Sequence, residues 1–202
     1  MSRGFRSPNI AELGSNGVHE GTFRYELGNT ELNPETSLQA DFSFAYDGEH
    51  ISFQADIFNN AINNFIYLRK INNALGDDSL IYVEGEFFQA FTYVQGDANL
   101  NGAEIILDIH PHPFHWLHFE NSFSFVNATL LNSTDSTKYL PFSPAPKLIS
   151  ELRGDFKKIN KFLGNSYIQF QVENYFAQNH IFSAYSTETK TPGYLLLNAG
   201  LG

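Results

Sequence analysis

The sequence contains no cysteine, only one methionine and one tryptophan, and few charged residues. Without cysteine there is no disulfide framework, no thiolate zinc site and no thiol nucleophile. Lysine and arginine number 12 against 22 acidic residues, and a net charge of -10 argues against a nucleic-acid partner, because phosphate recognition needs clustered cations. The one cationic cluster, Lys157, Lys158 and Lys161, falls in a short connection and reads as a solvated turn. No window approaches the roughly 18 consecutive apolar residues of a transmembrane helix. The opening Met1-Ser2-Arg3-Gly4-Phe5-Arg6 lacks the apolar stretch of a secretory leader.

What fills the chain instead is aromatic and neutral polar. Twenty Phe and ten Tyr favour strand over helix, and a charged fraction of 17% leaves room for Asn, Gln, Ser and Thr. These residues alternate. In 168–173 the even positions Ile168, Phe170 and Val172 are apolar and Gln169, Gln171 and Glu173 polar, with Phe176 extending the apolar row. Leu117, Phe119, Phe123 and Phe125 form a second row, interrupted only at Asn121. Further rows are Leu38–Tyr46 on even positions, Ile51–Ile57 and Ala103–Ile109 on odd ones, and Leu148, Leu152 and Phe156. Period two with one apolar and one wet face means a sheet. Several runs match the 9–11 residues of a tilted membrane strand.

Short and long connections alternate. Residues 46–50, 110–113 and 158–164 are tight, with Asp47-Gly48 supplying turn geometry and Pro111 and Pro113 ending a ladder. Residues 72–86, 131–146 and 179–193 are long and polar. One end of the sheet therefore has turns and the other has loops, as in outer-membrane barrels. Seven strands are expected, at about 37–46, 50–70, 87–109, 114–130, 147–157, 165–178 and 194–202. The third has no single parity, which predicts a bulge near Gly96 or Gly102.

Three segments carry a family likeness. Residues 4–13 read Gly-Phe-Arg-Ser-Pro-Asn-Ile-Ala-Glu-Leu, residues 28–35 read Gly-Asn-Thr-Glu-Leu-Asn-Pro-Glu, and residues 95–104 read Gln-Gly-Asp-Ala-Asn-Leu-Asn-Gly-Ala-Glu. Together with Asn59–Tyr67 they resemble the barrel of TonB-dependent outer-membrane receptors, in order and across the whole chain. Arg6, Pro8, Asn9, Glu12, Asn29, Leu32, Pro34, Glu35, Gly102 and Glu104 match the family motifs and read as structural rather than ligand-reading.

The resemblance implies an all-β, antiparallel, up-and-down transmembrane barrel segment, about seven strands of a 22-stranded barrel. Residues 1–36 would be an external loop segment and 37–202 the strands, in the register of the fourteenth to twentieth. The plug domain, the early strands and the last two strands are not in this sequence, so a piece of a longer exported protein is expected. The implied location is the bacterial outer membrane. The implied partners are the receptor's own plug, the TonB complex, lipid and an external small ligand: an iron-siderophore, cobalamin or a glycan. Neither an enzyme nor a cofactor is implied.

Other constellations have simpler readings. His110, His112, His115 and His118 resemble a metal-binding run, but Pro111 and Pro113 break the strand, and a turn without a metal role is expected. Asp41, Asp56, Glu104, Asp108, Glu120, Glu151, Asp155 and Glu173 face one side with no nucleophile elbow beside them, so no catalytic residue is assigned. They read as a hydrated lumen wall, with Arg153 balancing charge. Asn127-Ala-Thr and Asn132-Ser-Thr match a glycosylation pattern that Asn-rich composition produces by chance. The rival class is a soluble, secreted β-sandwich that binds carbohydrate through its aromatics.

Overall fold

The computed structural model of the chain describes residues 1–133, 137–158, 164–184 and 187–202. Its elements in chain order are β1 (Ser2–Arg6), α1 (Ile10–Gly14), β2 (Asn16–His19), β3 (Arg24–Leu27), β4 (Glu35–Asp47), β5 (Ile51–Lys70), β6 (Leu80–Val83), β7 (Glu86–Ile109), β8 (Leu117–Leu130), β9 (Lys147–Lys158), β10 (Gly164–Tyr175) and β11 (Tyr194–Leu201). All strands belong to one sheet. Its main path is β1-β4-β5-β7-β8-β9-β10-β11, antiparallel throughout, and the ends β1 and β11 do not pair. The fold is the unclosed up-and-down barrel segment that the alternation predicts.

Each of the seven expected strands is present, with bounds shifted by a few residues. Residues 1–36, expected as an external loop segment, contribute an eighth strand to the path: β1 pairs with β4 from Ser2↔Gln39 to Arg6↔Glu35. Five residues are too few for alternation to stand out, which is why the pattern missed it. The long connections also hold structure. Within 72–86, β6 folds back on β7 through Glu84-Gly85, both with positive φ (47° and 101°), as a two-residue hairpin turn requires. The β2–β3 hairpin docks on β7 by a parallel pairing of Arg24–Leu27 with Gln89–Thr92. The expected turn at 158–164, and Lys161 within it, lie outside the described residues apart from the turn's flanking positions.

Strand register turns the alternation into two faces, because residues directly opposite one another share a side. Ile57, Ala103 and Phe125 stand in line on one face, as do Ile51, Ile109, Phe119, Leu152 and Phe170. Phe42, Phe44, Ile57, Phe170 and Leu197 on this face are each more than half exposed. Ser52, Asp108, Glu120, Glu151, Gln171 and Asn198 line up across six strands on the other face. A contiguous exposed apolar surface of this kind suits an apolar partner or solvent better than water.

The bulge sits beside Gly96 but in the neighbouring strand. Ile62 pairs with Ala98 and Phe65 with Gly96, so Asn63 and Asn64 of β5 face Asp97 alone. Asn64 takes φ 57°, and its N–H donates to Asp97 Oδ1 at 3.1 Å. The extra residue reverses parity along β5 and leaves β7 in step, so it does not account for the mixed alternation of residues 87–109. The buried core lies at the long-connection end, where Ala98, Ala128, Leu130, Leu140, Phe182 and Ala184 pack together. The strands below have no core of their own, since their apolar side faces outward.

Candidate functional site

The motif residues of the amino-terminal segment converge on one guanidinium. Pro8, which cannot donate to a ladder, follows β1 and precedes the cap of α1. Asn9 Oδ1 accepts the Glu12 N–H at 2.8 Å and Glu12 Oε2 accepts the Asn9 N–H at 2.8 Å, a reciprocal capping box. Arg6 Nη1 then donates to both Glu12 oxygens at 2.9 Å, while its Nε and Nη2 donate to the two Glu35 oxygens at 2.8 Å. Glu35 Oε1 also accepts the backbone N–H of Ile66 at 2.7 Å. One planar fork thus ties α1, β1, β4 and β5 together, a geometry that lysine cannot reproduce.

The second motif is threaded onto the first. The Asn29 N–H donates to Glu12 O at 2.8 Å, its side-chain amide donates to Tyr93 O at 3.2 Å, and its Oδ1 accepts from Glu31 N–H. A Cβ on Gly28 would lie 2.6 Å from the backbone of Leu13 and Gly14, so only glycine lets these segments touch. Leu32 is buried, and Pro34 O accepts from the Asn64 side chain at 3.3 Å. Gly102 and Glu104 stand apart, on β7. Gly102 is packed under the Phe58 ring and against Phe125 O, and Glu104 lies in the polar row between Asp56 and Ser124.

Three residues central to this end were not among the motif residues read from the sequence. Glu26 is buried and accepts from Arg24 Nε and from Tyr93 OH, each at 2.8 Å. Burial pushes its carboxyl up, but the hydrogen bonds from Arg24 and Tyr93 outweigh it and hold the group below the usual glutamate range. Gln95 brackets the Asn33 backbone, accepting its N–H at 2.8 Å and donating to its carbonyl at 2.6 Å. Glu188 accepts the N–H groups of Phe142 and Phe182, joining two long connections. Nothing in local spacing marks such contacts.

On the polar face the expected carboxylates are spread over the strands. Arg153 pairs with Asp155 at 3.0 Å and lies 4.2 Å over the Tyr167 ring, and Glu151 accepts from Gln171 at 3.1 Å. Asn198 spans the Gln171 and Glu173 side chains of β10. Among the described residues this wall offers hydrogen-bond donors and acceptors along its length. Of the four histidines, His110 and His118 approach Asp108, while His112 packs edge-on against His115 and His50.

A family model described as "TonB dependent receptor-like, beta-barrel" matches residues 1–202. Among solved structures, the chain is similar to the copper transporter OprC, with 17% identity over 98% of this chain and 27% of that one at a TM-score of 0.69. A ferric enterobactin receptor (PfeA) variant from Pseudomonas aeruginosa gives 16%, 98%, 29% and 0.61. The siderophore receptor PirA from Acinetobacter baumannii gives 14%, 99%, 31% and 0.57. The chain therefore spans under a third of the length of the solved proteins it matches. These likenesses do not favour a soluble β-sandwich.

Proposed function

The chain belongs to the TonB-dependent receptor β-barrel family, and from that premise we propose that it is one arc of an outer-membrane receptor wall for energy-coupled uptake of a scarce ligand. The observation that carries this reading is the two-faced sheet: an exposed apolar side suited to lipid and a polar row suited to a hydrated, plugged lumen. In this reading the short-turn end faces the periplasm, and the long connections face outward and meet the ligand. The partners are the receptor's own plug, the TonB complex and lipid, with no nucleic acid. The fork of Arg6, Glu12 and Glu35 holds the ligand-facing segment on the wall, so the motif residues are structural and make no ligand contact.

The ligand class is an iron-siderophore, cobalamin or a glycan, and the named function of OprC adds copper to the candidates. Uptake of labelled ferric siderophores, cobalamin, oligosaccharides and copper by cells with and without the complete receptor, each with and without TonB, tests it. Receptor- and TonB-dependent accumulation of one of them is expected. Equal accumulation in all four strains, for every ligand offered, refutes uptake as the function.

A further inference from the structure

At the short-turn end, three side chains from β7, β8 and the segment between them meet at one point. Continued one step past its last pair, Ile109↔Phe119, the register of β7 and β8 sets His110 opposite His118, on the face of the Asp108↔Glu120 pair. His118 Nδ1 lies 3.0 Å from Asp108 Oδ2, and His110 Nδ1 lies 3.4 Å from that same oxygen. One donor atom from each of the three residues falls within 4.8 Å of the other two.

The hydrogen bonds make this cluster unusual. His110 Nε2 is 3.2 Å from Gly48 O, and a carbonyl can only accept, so Nε2 carries the proton. In the neutral ring Nδ1 is then a lone pair, and it is aimed at a carboxylate. Both His110 Nδ1 and Asp108 Oδ1 are buried without a hydrogen-bond partner among the described residues. The Nδ1 lone pair faces Asp108 Oδ2, and a cation between these two acceptors, a proton or a metal ion, would turn their repulsion into attraction. A histidine whose other nitrogen donates to a backbone carbonyl is the arrangement that orients metal ligands.

We propose that Asp108, His110 and His118 form a divalent-cation site that clasps β7 to β8 at the short-turn rim. Two imidazoles and one carboxylate select a first-row transition ion such as Zn²⁺ or Cu²⁺ over Ca²⁺ or Mg²⁺, which prefer oxygen donors. The spacing fits. Metal–ligand bonds of about 2.0–2.1 Å place tetrahedral donors roughly 3.3 Å apart, close to the separations seen here. A depression of about 320 Å³ adjoins the cluster, lined by Asp108, His118, Glu120 and Glu151 and by the paired Arg153 and Asp155, and leaves room for water as the fourth ligand. The site stands on the polar face, at the end opposite the long connections.

The experiment is calorimetric titration of Zn²⁺ into the complete receptor in detergent, with the electron paramagnetic resonance spectrum of bound Cu²⁺ as a second readout. One stoichiometric site with two coordinated imidazoles is expected. His110→Ala and His118→Ala should each weaken Zn²⁺ at least about tenfold, and Asp108→Asn, which keeps the side chain's shape, should do the same. The double variant His112→Ala/His115→Ala should bind as the parent does. Unchanged affinity in the first three variants, loss in the double variant, or no bound ion in the parent would each overturn the proposal. Asp108→Asn and the Cu²⁺ spectrum of the parent keep the outcome decisive if a histidine variant does not fold.

Discussion

Ser150 Oγ donates a 2.7 Å hydrogen bond to Asn121 Oδ1, directly across the β8–β9 ladder and between the apolar pairs Phe119↔Leu152 and Phe123↔Leu148 of the same face. Asn121 is the one interruption in its strand's apolar row, and the structure shows that its partner strand carries a matching interruption. The Ser150 hydroxyl and the Asn121 carbonyl oxygen satisfy each other within an apolar surround. Asn121→Leu alone strands the Ser150 hydroxyl and should cost about 1 kcal/mol in a reversible unfolding titration in detergent or lipid. The double change Asn121→Leu/Ser150→Val should recover most of that loss. An uncoupled pair, with additive effects, would show that the bond contributes nothing.

The Arg6 fork predicts that two distant segments loosen together. Arg6→Lys keeps the charge but loses the paired geometry toward Glu12 and Glu35. With the Arg6 side chain 44% exposed, the expected cost is modest, about 0.5–1 kcal/mol. Glu35→Ala should cost more, about 1–3 kcal/mol, because it also strands the Ile66 N–H. Amide hydrogen exchange should rise in Ser2–Arg6 and Ile10–Gly14 alike. A rise confined to one of them would mean that the fork does not couple them.

Gly102 should resist any side chain. A Cβ there would sit 2.7 Å from the Phe58 ring and press on the Phe125 carbonyl, which is backbone and cannot swing away. Gly102→Ala should destabilise by about 1–3 kcal/mol, seen as a lower midpoint of heat modification on electrophoresis. Gly17→Ala, which meets open space, is the control and should change stability by under about 0.5 kcal/mol. Equal midpoints for both variants would remove the steric account.

The Glu26 carboxyl is held below its usual range, so it favours the folded state when ionised. A lowered folded-state pKa means that the stabilisation is complete above the unfolded value of about 4.5 and fades as pH falls through the folded value. Docking of the β2–β3 hairpin on β7 should therefore weaken in acid, with exchange rising at Arg24–Leu27 below about pH 4.5. Glu26→Gln should flatten that dependence. A parent protein whose hairpin exchange shows no such acid dependence after intrinsic-rate correction would contradict it.

Much of the wall was legible because its cause is local. Side chains of a strand alternate whatever the partner, so the apolar rows from Leu38–Tyr46 to Ile168–Val172 mark both the strands and the face each residue takes. The bulge was half legible. The mixed pattern of residues 87–109 pointed to the neighbourhood of Gly96, but the extra residue belongs to β5, at Asn63-Asn64, and only the pairing reveals it. β1 escaped notice because five residues beside Glu35–Gln39 are a strand only through that pairing. The motif residues were legible as a set, yet their purpose was not, since Arg6 reaches Glu35 across 29 positions and Tyr93 reaches Glu26 across 67.

The histidines mark the same boundary. The sequence placed His110 and His118 in and beside a proline-broken turn, and on that evidence a turn without a metal role was the simpler reading. Register sets the two residues opposite each other, and the Gly48 carbonyl settles which His110 nitrogen faces Asp108. By itself, then, the sequence determined a two-faced antiparallel sheet with turns at one end and loops at the other, because alternation is a property of each strand alone. The tertiary structure decided where the bulge lies, what the Arg6 fork binds and which side chains meet at the turn rim. Those depend on which strands pair and in what register, and backbone hydrogen bonds between residues far apart in the chain set both.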